Sequence, residues 1–299
     1  MVFMSKFLLF LGCTIPTKQY AYEVSVRNVL PRLGIELVDF PEAGCCGFPL
    51  KGISKKGWVY MSARILSLAA KRGLPVLALC NGCDTSLRKV KDILKHDEVL
   101  RDEVAELLGR EGVKLNFNVD VYHTIEVLHD FVGVEKIKSL VVRPLKGIKI
   151  ASYPGCHMLR PTDIPRPEPS GEPKKFDMVL SALGAEVGYY PDKGGCCGAT
   201  MLPYSPKHAF RLTASKIRNM KDFGFQATTT SCPYCMEMLD SKQEAIRTEV
   251  GDDTLSIPVF YITQLVGLAI GLKPRELGLN LNLSPVEEVL EKLGVSLYE

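Results

Sequence analysis

The placement of the cysteines constrains this chain more than any other feature. The first five are Cys13, the adjacent pair Cys45 and Cys46 followed by Gly47, and then Cys80 and Cys83 in a CxxC; the second five are Cys156, the pair Cys196 and Cys197 followed by Gly198, and Cys232 and Cys235 in another CxxC. That uses all ten cysteines and leaves none over. The flanking sequence repeats as well. LGIELVDFPEAGCCG at 33–47 matches LGAEVGYYPDKGGCCG at 183–198 with one residue inserted, and VDVYHTIEVLHDFVG at 119–133 shares its pattern with IPVFYITQLVGLAIG at 257–271. Self-similarity on this scale marks a duplicated structural unit. A chain of 299 residues has room for two such units, each with its own core. We place the boundary in the VVRPLKG stretch, which gives units of 1–145 and 146–299.

Each unit reads as α/β. KFLLFLGC and GIKIASYPGC are short apolar runs rich in strand formers, ending at Cys13 and Cys156; LPVLALC and FQATTTSC do the same for Cys80 and Cys232. Between them, VYMSARILSLAAKRG and HAFRLTASKIRNMKDFG repeat apolar residues at helical spacing. Strands alternating with helices predict a Rossmann-like, mostly parallel sheet with flanking helices in each unit, and ligands of such sheets gather beyond the carboxyl ends of the strands. All ten cysteines are expected there. The units differ in two insertions. DTSLRKVKDILKHDEVLRDEVAELLGREG in the first reads as one or two solvated helices with a narrow apolar face. RPTDIPRPEPSGEPKK in the second is too rich in proline for regular structure, and reads either as a stiff lid beside the site or as a surface connection. Near the end, LSPVEEVLEKLG predicts a helix capped by Ser284, with Pro285 in its first turn and Glu287 closing a capping box. Its apolar face of Val286, Val289, Leu290 and Leu293 either docks a partner or covers its own sheet.

Composition excludes several classes. A net charge of +3, without a basic stripe interleaved with exposed aromatics, gives no nucleic-acid surface. The opening MVFMSKFLLFLGC has the outline of a short leader, yet the same pattern returns in mid-chain at Cys156, where it is a strand. The apolar stretch near residue 260 is shorter than the roughly 20 residues a membrane span needs and carries Thr263 and Gln264. A cytoplasmic protein is expected, and there ten cysteines point to metal or redox chemistry.

Five thiolates per unit exceed the four of a tetrahedral zinc site, and the close CxxCxxC run of a cubane cluster is absent. Adjacent cysteines diverge at a single ion but suit a centre presenting several irons, and the glycine of each CCG lets the backbone bend around it. A lone CxxC would be a thioredoxin-like pair or half a zinc knuckle, and disulfide staples would require export; two full sets of five favour iron–sulfur ligation over zinc or thiol-only chemistry.

At these residues the sequence resembles the cysteine-rich CCG-domain family, whose motif of one Cys, a CCG and a CxxC is matched by both copies over essentially the whole chain. YPGCHMLRP, TQLVGLAIG and the LGLN tail make it similar, within that family, to the B subunits of methanogen CoB–CoM heterodisulfide reductases. The resemblance implies two noncubane [4Fe-4S] clusters, one held by Cys13, Cys45, Cys46, Cys80 and Cys83 and the other by Cys156, Cys196, Cys197, Cys232 and Cys235. It also implies that the clusters reduce the disulfide CoM-S-S-CoB, lying between them, to coenzyme M and coenzyme B thiols. The chain has neither a ferredoxin-type cysteine run nor GxGxxG, so it needs an electron donor. The resemblance supplies a ferredoxin-like cubane [4Fe-4S] subunit, a flavin subunit, and an associated hydrogenase or formate dehydrogenase, in a soluble complex.

His157, directly after Cys156, is a candidate proton donor to a departing thiolate or a histidine bonded to nearby backbone. His123, at a strand end where the second unit has Tyr261, is expected to pack or cap. Lys51, Arg160, Lys193 and Lys207 are near the cysteines in sequence and could meet anionic groups of a substrate; for each, plain solvation is the better expectation. Two other functions compete with disulfide reduction: electron relay in a lactate, glycolate or succinate oxidoreductase, and a non-enzymatic zinc or redox-sensing scaffold.

Overall fold

The computed structural model describes residues 5–298, so the first four residues of the leader-like opening lie outside it. In the first unit, strands β1 (Ser5–Phe10), β2 (Ile35–Asp39), β3 (Val76–Ala78) and β4 (Val121–His123) form an all-parallel sheet in the order β2-β1-β3-β4. The second unit has β5 (Ile150–Ser152), β6 (Ala227–Thr230) and β7 (Val259–Tyr261), again parallel and in the equivalent order. The counterpart of β2 is reduced there to one parallel bridge between Lys149 and Glu186. Apart from the edge strand β2, which is half-buried and ends at an exposed Asp39, the strands are buried on both faces, which accounts for the apolar or Thr-rich runs without polar alternation.

The helices of the first unit are α1 (Thr14–Lys18), α2 (Tyr20–Val29), α3 (Lys55–Arg72), α4 (Asn81–His96), α5 (Glu98–Arg110), α6 (Thr124–Glu126) and α7 (Val134–Ser139). The second has α8 (Cys156–Leu159), α9 (Lys175–Ala182), α10 (Pro206–Asp222), α11 (Pro233–Met236), α12 (Gln243–Val250), α13 (Ile262–Ala269) and α14 (Glu287–Lys292). The charged insert forms two helices, as its pattern predicts, but it is not simply solvated. Asn81 to Leu87, the first two turns of α4, are wholly buried, sandwiched between the first unit, where Trp58 donates to Ser86 at 3.0 Å, and the second, where Asn81 and Thr85 reach the Pro154 and His157 carbonyls.

The units join by crossed packing. The short helix after the lone cysteine of each unit lies on the CxxC helix of the other: α1 on α11, and α8 on α4. Likewise α2 packs on α13, and α9 on α6 and α7. At the first of these latter seams, Tyr22 and Tyr261 stack with ring centres 4.0 Å apart, the Tyr261 hydroxyl donates to Gln19 Oε1 at 2.9 Å, and Ser25 and Thr263 hydroxyls meet at 2.6 Å. One continuous hydrophobic core runs through both units.

The C-terminal segment departs from its expected cap. Val286, not Ser284, precedes α14, and no side chain caps it. Ser284 is drawn instead to the buried Asp240, donating to its Oδ1 at 2.7 Å while accepting from Val259 N–H at 2.9 Å. Val286, Val289 and Leu290 are buried in the chain's own core, so this face packs on the chain itself.

Candidate iron–sulfur site

Every cysteine lies in a loop or helix start beyond the carboxyl end of a strand. Cys13 follows β1, Cys80 and Cys232 are the N-cap residues of α4 and α11 after β3 and β6, and Cys156 opens α8 after β5. The two CCG turns are built alike. Gly47 N–H points at Cys45 Sγ (3.4 Å) and Gly198 N–H at Cys196 Sγ (3.3 Å), while Phe48 and Ala199 N–H groups serve Cys46 and Cys197. Backbone donors and helix N-termini favour sulfur as thiolate. Both glycines have positive φ and press on the next helix: a Cβ on Gly198 would fall 2.8 Å from the carbonyl oxygen of Ala209. Each turn is also held by a hydroxyl that the motif does not reveal. Ser62 in α3 donates to the carbonyl of Cys46 at 2.6 Å, and Thr213 in α10 donates to that of Cys197 at 2.7 Å.

The thiols form two rows, Cys13, Cys45, Cys46, Cys83 and Cys80 in the first unit and Cys156, Cys196, Cys197, Cys235 and Cys232 in the second, each sulfur near enough to the next to bias its proton. Cys80 and Cys232 bias each other in the same way across the seam. Neighbouring thiols pull Cys46, Cys196 and Cys232 below the ordinary thiol value: Cys45 then Cys83 act on the first, Cys156 then Cys197 on the second, and Cys235 then Cys80 on the third. Cys80, Cys83 and Cys235 are pushed well above that value. A narrow cavity at the seam is lined by Cys13, Cys46, Cys80 and Cys83 together with Pro233 and Tyr234 of the second unit.

These residues fit a sulfur-ligated polynuclear centre. Gly12 and Gly155, each preceding a lone cysteine, have φ of 65° and 77°; a Cβ would reach 2.9 Å from Cys83 Sγ and 3.1 Å from Cys235 Sγ. Both units thus keep space beside a CxxC sulfur clear. Among the described residues no three His, Cys, Asp or Glu side chains converge on one point; the sulfurs are strung out instead. Soft, all-thiolate donors spread along a row suit iron bridged by sulfide.

His157 lies with its Nδ1 3.3 Å from Cys156 Sγ, its ring edge-on to Phe48 of the first unit at 4.9 Å, and burial lowers its pKa. His123 is fully buried and caps α6: its Nδ1 accepts from Ile125 N–H, and the Glu126 carboxylate returns to its own N–H. The four basic residues have ordinary occupations or solvent. Lys51 lies over Trp58, Arg160 donates to the Gly194 carbonyl, Lys193 pairs with Asp177 at 2.6 Å, and Lys207 is exposed.

The proline-rich loop holds no helix or strand between α8 and α9, and it crosses to the first unit. There Asp163 pairs with Lys89 at 2.7 Å and Arg166 with Asp84 at 2.9 Å. Neither contact is legible from the loop's composition.

Comparison with known proteins agrees with the cysteine pattern. The model of the CCG cysteine-rich domain matches residues 7–88 and 150–240. The chain is 32% identical, over 97% of its length and 97% of the relative's, to the B subunit of the ferredoxin/F420H2-dependent CoB-CoM heterodisulfide reductase of Methanosarcina acetivorans. It is 31% identical, over 93% of its length and 96% of the relative's, to the 8-methylmenaquinol:fumarate reductase membrane anchor subunit of Wolinella succinogenes. Among the described residues of this chain no helix is long and apolar enough to cross a membrane. A crystal structure of a hypothetical protein from Helicobacter pylori shares the fold with a TM-score of 0.74 at 15% identity; the match covers 94% of this chain and 52% of that one. With the domain present twice and its motif complete in both copies, the chain belongs to the cysteine-rich CCG-domain family.

Proposed function

We propose that this chain is the disulfide-reducing subunit of a heterodisulfide reductase. In this reading Cys13, Cys45, Cys46, Cys80 and Cys83 hold one noncubane [4Fe-4S] cluster, and Cys156, Cys196, Cys197, Cys232 and Cys235 the other. The substrate is the mixed disulfide of coenzymes M and B. The observation that carries the proposal is that two full cysteine sets in one chain share a seam, where a cavity lined by Cys13, Cys46, Cys80 and Cys83 is closed by Pro233 and Tyr234 from the second unit's CxxC. Breaking a disulfide takes two electrons and two protons and yields two thiols, whereas iron–sulfur donors pass electrons singly. When bound, such clusters supply one-electron steps and iron sites that capture sulfur.

The chain's own residues do the rest. The CCG turns and helix starts hold the sulfurs, Phe48, Pro233 and Tyr234 exclude water from the seam, and His157 presents a nitrogen beside Cys156 from which a proton passes to a leaving thiolate. Electrons come from a partner with cubane clusters, with a flavin protein and a hydrogenase or formate dehydrogenase behind it, in a cytoplasmic complex. A second reading, electron relay in a quinone-linked complex, is favoured by the Wolinella relative.

Anaerobic preparation followed by iron, sulfide and zinc analysis, then titration with the CoM–CoB disulfide under electron paramagnetic resonance, separates them. Reductase function requires iron and sulfide in equal amounts and a new signal on adding the disulfide. An iron-loaded chain that stays spectroscopically silent to the disulfide supports relay, and zinc in place of iron sinks both.

A further inference from the structure

The seam carries a buried guanidinium that the proposed chemistry has not used. Arg166, in the proline-rich loop of the second unit, has a side chain only 5% exposed. Its Nη2 donates to Asp84 Oδ2 at 2.9 Å, to Thr85 Oγ1 at 3.0 Å and to the carbonyl of His157. Asp84 directly follows Cys83, and His157 directly follows Cys156. One guanidinium therefore touches the backbone neighbourhood of a cysteine in each row.

Asp84 is fully buried and is held on its other oxygen by Arg88 at 2.7 Å, which in turn pairs with Glu126 at 2.5 Å. Two further contacts stitch the same surfaces. Asn81 Nδ2 donates to the Pro154 carbonyl at 2.7 Å, and Thr85 Oγ1 donates to the His157 carbonyl at 3.0 Å. The other crossing, α1 on α11, carries the more exposed pair of Lys18 and Glu237 at 3.3 Å and the buried Gln19, which meets Ser241 at 3.4 Å and accepts from the Tyr261 hydroxyl at 2.9 Å.

Arg166 also pays a cost for its place, since its Nε and Nη1 are buried without partners. A planar, always-charged group bridging a carboxylate and a carbonyl defines a distance in a way that a flexible ammonium does not. We propose that Arg166 is a positioning residue that fixes the separation between the two cysteine rows, and thereby the span over which a substrate disulfide can meet both. The proposal rests on the iron–sulfur reading above.

The test uses the full chain, loaded anaerobically, with Arg166→Met, Asp84→Asn and the more conservative Arg166→Lys. Iron and sulfide content are measured first. Pulsed magnetic resonance with both centres paramagnetic then gives the distance distribution between them. The expected result is unchanged iron, a narrow distribution in the parent chain, and a broadened or shifted one in all three variants. Arg166→Lys decides the matter should Arg166→Met fail to fold. Iron-replete variants with the parent's distribution overturn the positioning role even if their melting temperature falls. Absence of iron from the parent chain overturns the reading beneath it instead.

Discussion

Replacing Gly198 by alanine tests the close approach on which the second CCG turn depends. Two costs arise. At φ of 89° an L side chain meets the left-handed penalty, about 1–2 kcal/mol. The new Cβ also falls 2.8 Å from the Ala209 carbonyl oxygen and 3.1 Å from its Cα, roughly 0.6 Å inside ordinary contact. Those atoms are α10 backbone at the buried Ala209 and cannot swing aside like a side-chain tip. Overpacking of this kind costs about 1–3 kcal/mol more, for a total of about 2–5 kcal/mol. Gly44 is the matched control. It precedes Cys45, has φ of 71°, and a Cβ there meets nothing within 4 Å, so Gly44→Ala carries only the first cost of about 1–2 kcal/mol. Urea unfolding of both variants, with iron content measured in parallel, reads the difference. If Gly198→Ala is no less stable than Gly44→Ala and keeps its iron, the close packing of the CCG turn on α10 does not shape the site.

Three further outcomes are expected. Ser62→Ala and Thr213→Val each leave a buried cysteine carbonyl without its donor, at about 1–3 kcal/mol apiece in urea unfolding, and the two add because they lie in different units. Gly12→Ala crowds Cys83, and Gly155→Ala crowds the Asn81 amide and then Cys235, so each is expected to lower iron retention on gel filtration well below that of Gly44→Ala; equal retention for Gly12→Ala contradicts the reading of that space. Burial lowers His123 from 6.5 to about 4. The unfolded chain therefore takes up this proton first, and the associated stability is complete above pH 6.5 and is lost as pH falls towards 4, by about 3 kcal/mol at most. His123→Asn keeps a capping acceptor, so its unfolding free energy should fall less steeply between pH 7 and 4.5 than the parent's; parallel curves would show that His123 does not titrate this way.

The repeat, the strand ends and the parallel sheets are readable because cysteine spacing and apolar runs are local signals. What escapes the sequence is contact between distant segments. Ser62 and Thr213 occupy matching helix positions, but hydroxyls inside helices are common and nothing local marks these two. The burial of α4 is illegible because its charged turns lie beyond its buried start, and that start faces a surface built 70 residues later. Ser284 has the surroundings of a helix cap, yet Asp240, which no local pattern connects with it, draws it away. The counterpart of β2 shrinks to a single bridge although the flanking sequence matches, since Gly188 stands where the first unit has Val38.

The reciprocal seating of each unit's lone-cysteine helix on its sibling has an evolutionary reading. Such an exchange is the geometry of a twofold homodimer whose subunits have been spliced end to end. In that reading the fused copies were free to diverge, a guanidinium brace at one crossing standing against a phenol-to-amide bond and a more exposed ion pair at the other. A two-piece version of this protein, cut in the linker, would accordingly be expected to reassemble from its fragments, with neither fragment self-sufficient.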